Sequence, residues 1–169
     1  KRFLPGATQF IGWDYGDDLV QFPDDGTVYL VDLSPDCFTS IPTDATKPDR
    51  FIWIDHHLSS ISQWDDQLGN PFNGCRIDGV AACRLCWQWF TAEYAPDYRD
   101  GLVPIPGSLP ELDDYKERRV HEPLALTLAG EYDVWDLHDD RAIPFQFGLV
   151  ARGFIEFESL QDLLAHSVI

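Results

Sequence analysis

Two short apolar runs, each stopped by an aspartate, constrain this chain more than any other feature of it. The first is TVYLVDLS at residues 27–34 and the second is FIWID at residues 51–55. Both are rich in β-branched and aromatic side chains, and neither alternates apolar with polar before its acid. A strand that is apolar on both faces must be covered on both faces, as strands of a parallel sheet packed between helices are. A further short strand is expected at residues 8–13 (TQFIGW). Asp78-Gly79 reads as the start of a helix running to about Phe90, with Asp78 as its N-cap. Helical character resumes over 111–131, where Pro123 must start a helix or kink one, and an amphipathic period marks 157–168. Residues 96–110, with four Pro and two Gly, read as a long loop. Strands alternating with helices give an α/β class, a mostly parallel sheet flanked by helices, in one domain over residues 1–169. In such sheets ligands bind beyond the carboxyl ends of the strands, which is where Asp32 and Asp55 fall.

Composition narrows the functional classes. A 169-residue chain that is 44% apolar can bury one real core. No run reaches the roughly 20 apolar residues that span a bilayer, and no charged-then-apolar leader opens the chain. With Cys37, Cys75, Cys83 and Cys86 and no export signal, a reduced, cytoplasmic setting is expected. The Cys83/Cys86 pair has no second ligand pair of matching spacing, so it reads as core rather than as a zinc or redox site. The chain begins at Lys1 and contains no Met, which is expected of a chain whose start was removed or of a piece of something longer. The net charge of -17 argues against duplex nucleic acid, whose binding rests on cationic neutralisation of phosphates. A small or short phosphorylated ligand remains compatible if divalent ions cancel the local charge.

The chemistry gathers at Asp55-His56-His57, which emerges at the tip of the second run. Three titratable groups there are costly to bury unless paired or bound to metal. Imidazole is a common transition-metal ligand, and its second nitrogen usually donates to a carboxylate, a role open to Asp55. Asp32, at the tip of the other run, can bring a carboxylate to the same ion. Mixed carboxylate and imidazole ligands suit Mn2+, with Co2+, Zn2+ and Mg2+ as competitors. Two such ions would activate water and clamp a phosphoryl oxygen. A hydrogen-bonded histidine pair at a strand end is the structural alternative.

Taken together, VYLVDLS (28–34), WIDHH (53–57) and LAGEYDVWDL (128–137) resemble the second, third and fourth motifs of the DHH phosphoesterases. The last is closest to the GDYDVW variant of bacterial and phage phosphohydrolases, and RIDGVAACRLCWQWF (76–90) is similar to the helix after the triplet in that subgroup. The resemblance covers most of residues 8–150 and implies a Rossmann-like DHH domain. It implies metal-dependent hydrolysis of a phosphoester or phosphoanhydride: a short oligonucleotide, nucleotide phosphate, polyphosphate or pyrophosphate. Residue by residue, Asp32 resembles the carboxylate bridging two ions, His56 a direct ligand and Asp133 the last carboxylate ligand. His57 resembles the histidine facing the substrate phosphate, and Asp55 the partner that orients the histidines. Glu131 and Asp136 stand near Asp133 as rival ligands.

The departures are as informative. Nothing before Asp32 matches the family's His-x-Asp-x-Asp first motif, because Asp14, Asp17 and Asp18 have the wrong spacing. No Gly-rich His motif of a C-terminal substrate domain precedes Ile169. Truncation at both ends is the expected explanation, and a catalytically inactive, DHH-like binding or regulatory module with an acidic interaction surface is the alternative. Without the first motif, metal affinity should fall. A non-catalytic nucleic-acid-binding domain is a third reading, opposed by the charge. Ser34 and Ser59 show no nucleophile elbow, and there is no Gly-rich phosphate loop. Arg76, Arg84, Arg118 and Arg119 are candidates to meet phosphate, against the ordinary alternative of ion pairs.

Overall fold

A computed structural model describes residues 9–14, 16–18, 22, 25–34, 50–68, 72–94 and 110–152. Its elements, in chain order, are β1 (Val28–Val31), β2 (Phe51–Asp55), α1 (Leu58–Leu68), β3 (Asn73–Arg76), α2 (Ala82–Tyr94), α3 (Leu112–Lys116), α4 (Leu124–Asp133) and α5 (Ala142–Arg152). The strands form one parallel sheet in the order β1-β2-β3, with Leu30 opposite Trp53 and Trp53 opposite Gly74. This is a small α/β arrangement. The central β2 is buried at all five positions, which is why FIWID shows no alternation.

Alternate β2 residues feed two cores. Phe51 and Trp53 point to one face, where they pack with Leu30, Trp64 of α1 and Phe72. Ile52 and Ile54 point to the other, with Cys75, Val80, Leu85 of α2 and Tyr115 of α3. The first core is largely aromatic. Trp64 meets Phe72 edge-on at 4.9 Å between centroids, and Trp53 meets Phe72 at 6.3 Å. Edge-to-face pairs of this kind add about 0.5–1.5 kcal/mol each beyond their buried area.

Several expectations are corrected. Residues 9–14 form no strand and are mostly exposed. Asp78 is not an N-cap: Asp78 and Gly79 make a turn closed by Val80 N–H donating to the Ile77 carbonyl (3.2 Å), and α2 begins only at Ala82. Gly79, at φ +83°, supplies the left-handed step of that turn. The segment 111–131 divides into α3 and α4, and Pro123 sits at the N-cap of α4, where its missing N–H costs nothing. β3, α1 and α5 went unforeseen. The 96–110 loop (Pro110 apart) and the 157–168 helix lie outside the described residues. No helix among the described residues is long and apolar enough to cross a membrane.

β3 is legible only through its backbone. Gly74 has φ +131°, and a Cβ there would fall on the Trp53 backbone carbonyl. Gly74→Ala should therefore lower the unfolding free energy by more than about 2 kcal/mol, by parting the sheet beside the strand that carries Asp55. Gly12→Ala, with open space around it, should change it by less than about 0.5 kcal/mol. Equal effects in urea titrations of the two variants would contradict this packing.

Candidate metal centre

β1 and β2 end side by side, and their register sets the site. Asp32 N–H still donates to the Ile54 carbonyl at 2.9 Å, the last rung between the two strands. Asp32 then turns to φ +60°, a left-handed conformation that aspartate tolerates better than most residues. A non-glycine residue held there stores on the order of 1–3 kcal/mol and is found where surrounding structure fixes it, often at functional sites. The turn swings the carboxylate out of the strand and over the tip of β2.

Beneath it lies Asp55, whose side chain is fully buried. Its Oδ1 accepts the His56 N–H (2.7 Å), the His57 N–H (3.2 Å) and His57 Nδ1–H (2.7 Å). Its Oδ2 accepts Trp53 Nε1–H at 3.2 Å, and the same indole N–H reaches the Leu33 carbonyl at 3.0 Å. Burying a carboxylate is costly unless its lone pairs are used, and here four donors use them. The result is a rigid tripod that holds the backbone of both histidines and fixes the tautomer and plane of one ring. Since Asp55 has no exposed surface, it is a positioning residue.

His56 stands between two acids. Its Nε2 lies 3.1 Å from Asp32 Oδ1 and 3.3 Å from Asp133 Oδ2. His57 Nδ1 is 3.7 Å from the same Asp32 oxygen, and the two rings lie 4.5 Å apart between centroids. Ligand atoms of Asp32, His56 and His57 fall within 4.8 Å of one another, and the Asp133 oxygen joins them from the last turn of α4. The hydrogen bond to His56 holds the Asp32 carboxyl below its ordinary range. The same bond, opposed by burial and helped by the charge of Asp133, raises His56. Burial raises Asp133, more than the attraction of His56 lowers it.

The rival carboxylates are resolved by what they touch. Glu131 is buried and faces away, accepting from Arg118 (2.5 Å) and from the Asp139 N–H (2.8 Å). Asp136 pairs with His138 at 3.2 Å. Of the three, Asp133 is the acid brought to His56. Glu131 is the residue whose part the sequence hid. With Arg118, Asp139 and Arg141 it clamps the turn that follows α4, directly after Asp133 at the helix end. An acid two residues before Asp133, followed eight residues on by the aspartate whose N–H it binds, was the available signal.

The arginines weighed as phosphate contacts against ordinary ion pairs have protein partners. Arg84 pairs with Glu122 at 2.6 Å in a buried bridge, and Arg76 lies over the Trp53 ring while donating to the Trp53 carbonyl (3.1 Å). Arg118 is in the Glu131 clamp, and Arg119 pairs with Asp114 and Glu117. Cys75 is buried, Cys86 half-buried and Cys83 exposed as a whole residue, all as free thiols, yet burial also pushes the Cys83 thiol up to about 12. Burial pushes Cys75 up to about 11 and Cys86 up to about 12, far from reactive thiolates. Comparison with models of known protein families, with curated proteins and with solved structures found no match.

The pair of shifts fixes a pH window for the metal-free chain. His56 is raised, so its contribution is complete below its ordinary value of 6.5 and is lost as pH climbs through the folded value. Asp32 is lowered, so its contribution is present above 3.8 and is lost as pH falls through the folded value. With chelator present, the stability gap between the wild type and His56→Gln should be larger at about pH 6 than at about pH 9. A gap independent of pH, measured by urea unfolding, would mean that His56 carries no proton between the acids.

Proposed function

We propose that this chain carries the metal centre of a DHH-type phosphoesterase, which hydrolyses a small or short phosphorylated substrate. The observation that supports this best is the convergence of Asp32 Oδ1, His56 Nε2 and Asp133 Oδ2 at separations of 3.1 and 3.3 Å. Ligand atoms about 2.0–2.2 Å from one divalent ion stand roughly 3 Å from each other, which is the spacing of each acid from His56 Nε2. Their chemistry, two carboxylates and an imidazole, suits Mn2+ first, with Co2+, Mg2+ and Zn2+ as competitors.

Asp32, His56 and Asp133 would hold the ion, and Asp55 would hold His56 in place through its amide. When bound, the ion supplies Lewis-acid polarisation of a phosphoryl oxygen and activation of water. His57 presents its ring beside this point, half-exposed, with Nδ1–H tied to Asp55. That leaves Nε2 as the nitrogen for substrate. In its protonated form the ring gives Nε2–H to a phosphoryl oxygen as negative charge develops there. Loss of the Asp55 bond would free the ring to rotate and would blunt this role.

One observation favours the alternative, a DHH-like binding module without activity. Among the described residues, one group of three such side chains, Asp32, His56 and His57, could hold an ion, with Asp133 beside His56. Asp17 Oδ2 is occupied with the Asp14 N–H at 2.9 Å, in a local turn. Among the described residues, the two-ion arrangement expected from the family resemblance therefore has ligands for one ion only. Manganese stoichiometry separates the cases when read together with turnover.

With Mn2+ and a panel of nucleotide, oligonucleotide, pyrophosphate and polyphosphate substrates, the wild type should release product. His56→Ala and Asp32→Ala should each lose at least about 100-fold in kcat/KM while keeping the wild-type circular dichroism. Asp55→Asn should lose about 10- to 100-fold, as removal of a ligand's orienting partner does. Wild-type turnover in the His56 and Asp32 variants would remove the phosphoesterase reading. Tight Mn2+ binding without turnover on any substrate would support the binding module.

A further inference from the structure

Trp135 lies two residues beyond Asp133, in the turn that closes α4, and its side chain is 65% exposed. Its backbone is left-handed, at φ +55°. For a bulky residue that is an outlier with a steric cost, and an indole in water forgoes the burial that usually justifies tryptophan. Neither penalty is incidental to a loose loop, because the turn is braced. Trp135 N–H donates to the Tyr132 carbonyl at 3.3 Å, and Asp136 N–H to the Glu131 carbonyl at 3.0 Å. The Tyr132 ring meets the indole edge-on at 5.5 Å, which props it from one side. Glu131 is itself locked by Arg118 and by the Asp139 N–H. The fold thus sets an exposed aromatic ring, in contact with Tyr132, on a braced turn two residues from an acid of the candidate metal centre.

Two other large apolar residues that adjoin site residues in sequence are exposed as well. Leu58, next to His57, is 56% exposed, and Val31, next to Asp32, is 36% exposed. Each residue that lines the polar centre therefore has a large exposed apolar neighbour one or two positions away along the chain. An inorganic polyanion has no use for such a rim. It would call for cations, whereas Arg76, Arg84, Arg118 and Arg119 are held by protein partners and the chain bears a net charge of -17. A ligand with one phosphoryl group and a flat, weakly polar remainder fits both halves, the phosphoryl at the Asp/His cluster and the flat part on the indole face.

Building on the phosphoesterase reading above, we propose that Trp135 is a stacking platform for a nucleobase, and that it selects nucleoside phosphates over pyrophosphate and polyphosphate. Base–aromatic stacking tolerates any base, because each has a π face, so the selection is for a nucleotide and not for a sequence. The contact is made with the part of the substrate that does not react, so Trp135 is a specificity residue.

Calorimetry in Mn2+ with two probes, adenosine 5′-monophosphate and inorganic phosphate, tests this on the wild type, Trp135→Phe and Trp135→Ala. The wild type should bind the nucleotide at least about 10-fold more tightly than phosphate, Trp135→Ala should bind the two within about 2-fold of each other, and Trp135→Phe should keep most of the preference. Phosphate affinity should be the same in all three, which a merely structural role for the indole would not give. Mn2+-dependent phosphate binding with no nucleotide preference, or a preference that survives in Trp135→Ala, overturns the stacking proposal and leaves the metal centre standing. If the wild type binds neither probe in Mn2+, the phosphoesterase reading itself fails, and the stacking proposal with it.

Discussion

The buried carboxylate of Asp55 is the interaction on which the rest of this site depends. It takes both histidine amides, one imidazole and the indole of Trp53, and through that indole it is joined to the exit of β1 at Leu33. One acid thereby sets two strand tips relative to each other. Removing it would leave the two histidine amides and the His57 ring without their shared acceptor, and the Trp53 indole with the Leu33 carbonyl alone. Trp53 is the reason the place is dry: it is fully buried, packed on Trp64 and Phe72 and covered by Arg76. The aromatic core and the polar site are therefore one construction, and the tryptophan is the member they share.

On this base, charge is distributed so that two half-exposed acids face one largely buried imidazole. His56 has two acids within 3.3 Å, and in the absence of metal a proton on its ring is shared with them electrostatically. A divalent cation would replace that proton and carry more charge, so metal binding and proton release would be linked. The second anchor of the cluster is remote from the sheet. Asp133 arrives on α4, and α4 is held by α2, the clamp at Glu131 and the buried Arg84–Glu122 pair. The close approach of Arg84 is possible because Gly130 has no side chain to meet it. A site assembled from two strand ends and a helix end can be tuned at either source without disturbing the other.

Much of this was legible in the chain because burial leaves a strong trace. FIWID reads as a central strand since all five positions are covered, and the structure gives it those bounds. Asp32, His56, His57 and Asp133 were named from strand tips, ligand chemistry and resemblance, and they converge. What escaped was set by backbone geometry and by pairing over distance. β3 (NGCR) carries no apolar pattern, and it exists because Gly74 lets its backbone lie against Trp53. Asp78 has the side chain of an N-cap, but the left-handed Gly79 after it spends that residue in a turn. The choice among Glu131, Asp133 and Asp136 could not be made from spacing, since it turns on Arg118 reaching across from another segment. Whether Arg84 meets a phosphate or a buried glutamate is likewise decided by a partner 38 positions away.

The central claim is that one divalent ion sits where the two strand tips and the end of α4 meet. Anomalous diffraction at the manganese edge, from crystals grown with Mn2+, addresses it without reference to any substrate. The account predicts a single strong peak in bonding contact with Asp32 Oδ1, His56 Nε2 and Asp133 Oδ2, at about 2.0–2.3 Å from each. A featureless map at that point, with His56 still hydrogen-bonded between the two acids, would contradict it.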